Sequence, residues 1–111
     1  GLDIKDRFGF LPQSLKLLLL IRKIRLLSTN TSLLHLKTVE RGFNLLFGVF
    51  DKKDVIYLVD RASRFFSENS VEFAVENNSK GLTFKAFVSN VEMSLSTVVL
   101  FLSFLKKENE N

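Results

Sequence analysis

The hydrophobic period of this chain switches back and forth between 3.6 and 2 residues, and the period limits which element each segment can form. Pro12, the only proline, suits a first helical position, and Leu17, Leu20, Ile21, Ile24 and Leu27 then make one apolar stripe, predicting a helix over 12–27. Ser28 to Ser32 is a polar breaker, after which Leu34 and Leu36, then Phe43, Leu45, Phe47 and Val49, alternate with more polar positions around Arg41-Gly42. That pattern predicts a β-hairpin. Asp51 is a candidate N-cap for a helix over 52–66, where Val55, Leu58, Val59, Ala62, Phe65 and Phe66 repeat at helical spacing. A second hairpin is predicted from Val71, Phe73 and Val75 through a turn-rich Glu76 to Gly81 into Leu82, Phe84 and Phe87. Asn90 can cap a closing helix in which Val91, Leu95, Val98, Leu102 and Leu105 share a side and Lys106 and Lys107 suit the C-terminal dipole. The order helix, hairpin, helix, hairpin, helix implies an α+β domain, with antiparallel strands paired locally and helices packed on a sheet face.

At 111 residues there is room for one core, and 46% hydrophobic with 25% charged residues is a globular balance. No cysteine and a single histidine, His35, exclude a disulfide scaffold, a thiolate metal site and most histidine chemistry. The net charge of +4 is concentrated in the first half: residues 1–55 carry ten Lys or Arg against five Asp or Glu. The longest apolar runs, Leu17 to Ile21 and Val98 to Leu102, fall far short of the roughly 20 residues a bilayer requires, so no membrane partner is expected and the expected compartment is the cytoplasm.

Three features invite a functional reading. On the first helix, Leu15, Leu18, Leu19 and Leu26 crowd around Arg22, opposite the apolar stripe. Packing on two sides within the domain accounts for them, and so does a partner surface; the first is the expectation. Lys16, Arg22, Lys23 and Arg25 offer a small basic nucleic-acid-binding module as the alternative function, but they divide between two sides of the helix and bring no aromatic platform. Glu68, Glu72 and Glu76 read as a solvated acidic edge rather than paired catalytic carboxylates, and no nucleophile triad or glycine-rich phosphate loop accompanies them. This domain is therefore not expected to be an enzyme or to carry a cofactor or metal of its own.

The run Asp6-Arg7-Phe8-Gly9-Phe10-Leu11-Pro12, followed by a leucine-rich helix, resembles the start of the C-terminal domain of bacterial transcription-repair coupling factors (Mfd). The likeness extends in order over nearly the whole chain. It implies residues 1–9 as the end of a linking helix with Gly9 at its cap, 10–107 as a single α+β regulatory domain and 108–111 as a frayed tail. In such a factor, an ATP-dependent DNA translocase that uses ATP and Mg, removes stalled RNA polymerase and recruits UvrA, this domain is autoinhibitory and masks the UvrA-binding surface of the UvrB-like module. The resemblance assigns the contact with arginines of that module to Asp3 and Asp6, three apart and so on one helical face. A further acidic position of the family, on the second strand of the first hairpin, aligns with Leu46 here, a departure from the pattern.

Overall fold

The computed structural model describes residues 13–29 and 31–110. The expectations for the linking helix, for Pro12 and for Asn111 lie outside them. The elements are α1 (Gln13–Ser28), β1 (Leu33–Val39), β2 (Gly42–Phe47), α2 (Lys52–Glu68), β3 (Glu72–Asn78), β4 (Gly81–Phe87) and α3 (Val91–Glu110). The class is α+β, with one antiparallel sheet in the order β1-β2-β4-β3.

Local chemistry sets several boundaries. Asn90 accepts the Met93 backbone N–H on Oδ1 at 2.9 Å and starts α3 as a side-chain cap. Asp51 holds the equivalent extended position before α2, but its carboxylate makes no cap hydrogen bond. Both later helices overrun their expected ends: α2 continues to Glu68, and α3 to Glu110, beyond Lys107 where fraying was expected to begin. The long turn expected over Glu76 to Gly81 shrinks to Ser79-Lys80, because the Asn78 side chain accepts the Lys80 N–H at 2.8 Å and closes the corner itself. Val49 lies past the end of β2 rather than within it.

Odd-numbered positions of β2 (Phe43, Leu45, Phe47) and their β4 partners (Ala86, Phe84, Leu82) are all buried and face the helices. Phe101 of α3 meets Phe47 and Phe84, while Phe66 of α2 meets Phe43 and Phe73, so both helices cover the same side of the sheet. The helix after each hairpin crosses to the other hairpin: α2 packs on β3, and α3 on β1 and β2.

Behind this exchange lies a repeat in the elements. The second and third helices start at Lys52 and Val91, and the hairpins at Leu33 and Glu72, in each case 39 residues apart. Leu45 and Phe84 are equivalent under that shift and pair directly across the sheet, which puts an approximate two-fold axis between β2 and β4. One irregularity breaks the match. In β1 the register slips between Leu33 and His35, leaving Leu34 as a bulged residue with no counterpart in β3.

Helix α1 packs on α3, and here the expected face needs correction. Ile24 is buried, and Leu17, Leu20 and Leu27 pack against the core, but Ile21 is exposed at the rim. Nor is α1 packed on two sides: Leu18, Leu19 and Leu26 are exposed. A single helix neighbour covers only about a third of a helix circumference, so among the described residues the leucines opposite it have little to bury against. Ile24→Ala is expected to lose about 2 to 3 kcal/mol in a denaturant titration, whereas Leu18→Ala stays within about 0.5 kcal/mol. Equal costs at the two positions would mean that both faces are core.

Candidate interaction surface

Asp3, Asp6, Arg7, Phe8, Gly9 and Pro12, the positions carried by the resemblance, lie outside the described residues. Leu46 is described. It is half-buried on the sheet face that points away from the helices, in one row with His35 of β1, Thr83 of β4 and Glu76 of β3. The alternation of β2 dictates this, since Phe43, Leu45 and Phe47 occupy the other face.

That open face is graded in charge. His35 and Lys37 stand on the β1 side, Glu72 and Glu76 on the β3 side, and Lys85 lies between, with its Nζ 3.2 Å from Glu76 Oε2. A carboxylate at position 46 would complete a polar row across the sheet. Leucine instead interrupts that row with one apolar side chain, between His35 on β1 and Thr83 on β4. At one end, Gly42 separates Val39 from Phe87, whose ring is largely exposed.

The second distinctive surface is on α1. Its 16 residues include Lys16, Arg22, Lys23 and Arg25 and no acid. Arg22 and Arg25 have no ion-pair partner among the described residues, whereas elsewhere Asp60 pairs with Arg61 and Arg64. Lys23 falls on a different side of the helix from Arg22, and among the described residues the one cation over an aromatic ring is Arg61, 4.9 Å from the Tyr57 centroid, not a cation of α1. Sequence reasoning expected the outward leucines to be covered; the signal that they are not was the width of the stripe, apolar on both sides of a helix with four cations.

The acidic residues considered for catalysis do not converge. Glu68 ends α2, Glu72 and Glu76 are exposed on β3, and Glu76 is engaged by Lys85. Among the described residues no group of three or more His, Asp or Glu is placed to hold a metal ion, and no described helix is long and apolar enough to cross a membrane.

Comparison with known protein families, with curated proteins and with solved structures finds no match to this chain.

Proposed function

We propose that this chain is a non-catalytic, autoinhibitory interaction domain of a transcription-repair coupling factor, one that masks the UvrA-binding surface of a UvrB-like module in the same protein. The observation that carries the reading is the run Asp6 to Pro12 leading directly into the leucine-rich α1. The helix-hairpin-helix-hairpin-helix order belongs to the same reading, as does a cytoplasmic location. The parent's ATP, Mg, DNA and RNA polymerase belong to other parts of its chain, and this domain acts on them only through closure.

Asp3 and Asp6 would each face an arginine of the module through charge-assisted hydrogen bonds, which are short, directional and stronger than neutral ones. With leucine at position 46, the sheet adds no charge to that network, so closure rests more heavily on the two aspartates and on apolar contact. UvrA competes with closure, and its apparent affinity therefore scales with the open fraction.

The test is UvrA affinity at fixed salt for the full-length parent, its Asp6→Arg variant and a form lacking residues 10–111. Deletion is expected to raise apparent affinity most and Asp6→Arg to raise it by an intermediate factor. Unchanged affinity on deletion would end the autoinhibitory reading. Gain on deletion with none for Asp6→Arg would keep the gate and remove Asp6 from it. In parallel, the domain alone should bind duplex DNA weakly at every ionic strength; tight binding that falls steeply with salt would favour the basic nucleic-acid module instead.

A further inference from the structure

We propose that the outward face of α1, together with the edge strand β1, is a docking groove for an acidic amphipathic helix of a partner protein. The proposal uses neither Asp3 nor Asp6 and does not depend on the autoinhibitory reading.

Two adjoining depressions define it. One, of about 320 Å³, runs along α1 past Leu15, Leu18, Leu19 and Arg22; the other, of about 460 Å³, lies between α1 and the start of β1, against Ile24, Leu34 and His35. Ile21 and Arg25 line both, so the two depressions adjoin. Leu18 is 63% exposed and Leu34 63%, Leu19 and Ile21 are exposed as well, and Leu26, 68% exposed, falls on the same side of α1 as Leu19; grouped exposed apolar residues of this kind mark interaction sites on soluble domains.

Charge selects the occupant. The described residues lining the two depressions include Arg22, Arg25 and His35 and no acid. Arg22 and Arg25 lie three apart on one helical face, exposed and without an ion-pair partner among the described residues. A second copy of this chain docking α1 on α1 would set these guanidiniums against each other, which disfavours self-association through this face. Leucines spaced at three and four residues accept the ridge of another helix, and Arg22 and Arg25, which flank Leu18 on the same face, ask for carboxylates beside the apolar residues of that helix. Helix-in-groove recognition by an acidic amphipathic helix satisfies both.

The probe is a synthetic 20-residue amphipathic helix with leucines on one face and glutamates flanking them, titrated against the whole chain at physiological salt, with a twin in which lysine replaces every glutamate. The glutamate peptide is expected to bind at least tenfold more tightly than its twin, with NMR shifts confined to α1 and the first half of β1. Arg22→Glu/Arg25→Glu should reverse the preference, and Leu18→Ser/Leu26→Ser should weaken both peptides about tenfold while leaving the melting temperature unchanged. Equal binding of the twins, or shifts centred on another surface, overturns the proposal. So does a concentration-dependent dimer that Leu18→Ser/Leu26→Ser abolishes, since the face would then belong to a second copy. Tight binding of duplex DNA lost in Arg22→Glu/Arg25→Glu overturns it in favour of nucleic acid.

Discussion

Phe101→Ala is expected to remove most of the stability of this domain. Phe101 is fully buried in α3, with ring centroids 5.1 Å from Phe66, 5.2 Å from Phe65 and 6.3 Å from both Phe47 and Phe84. It therefore touches α2 and both central strands at once. Phe→Ala in a core costs about 3 to 5 kcal/mol, and the edge and tilted ring pairs add about 0.5 to 1.5 kcal/mol each where they cannot reform. A domain of this size has about 5 to 15 kcal/mol in total. The melting temperature should fall by on the order of 20 °C, and Phe101→Leu, which keeps most of the volume, should recover more than half of that loss. A fall of only a few degrees for the alanine variant would show that the four rings pack on one another without it.

Alanine at Gly42 or Gly81 is expected to cost more than about 3 kcal/mol, and nearly the same at both sites. Each glycine opens a central strand with positive φ, +150° at Gly42 and +133° at Gly81, where an L side chain is strained. A methyl group at Gly42 would run into the carbonyl oxygen of Ala86, and one at Gly81 into that of Phe47. These are equivalent contacts: Phe47 stands 39 residues before Ala86, just as Gly42 stands before Gly81. Both collisions are with backbone inside the β2–β4 pair, which cannot yield without parting the two hairpins. Gly48→Ala supplies the contrast. There the new methyl would lie 2.9 Å from Leu34 Cδ1, an exposed side chain free to turn away, so the cost should stay below about 1 kcal/mol. Urea titrations of the three variants check this. A mild Gly42→Ala with a severe Gly81→Ala would disprove the equivalence of the two halves.

Some of the candidate surface was legible before any coordinates. Leu46 had to oppose Phe43, Leu45 and Phe47, because strand side chains alternate and three phenylalanines and leucines on one face leave little choice. The outward leucines of α1 were visible as residues, but not as surface. Their exposure follows from how many neighbours α1 has, and that number is a property of the assembled domain.

What the sequence determined by itself is local: helices where apolar residues recur at three and four, hairpins where they alternate, Asn90 as a cap, glycines where a strand must start with positive φ. Each depends on residues within a turn or two of one another, so spacing and side-chain type are enough. Even so, the bulge at Leu34 and the tight Ser79-Lys80 turn escaped, because polar residues of β3 such as Glu76 and Asn78 mimic a loop when their strand lies at a sheet edge. Only the tertiary structure decided that β2 and β4 pair at the centre, that each helix crosses to the opposite hairpin, that the halves are related by a two-fold, and that Ile24 rather than Ile21 lies buried. Those choices bring together residues far apart in the chain, about 40 positions for β2 with β4 and more than 60 for α1 with α3, and they are made by the summed burial of the whole core, where Phe101 fits against four rings in one arrangement of the layers.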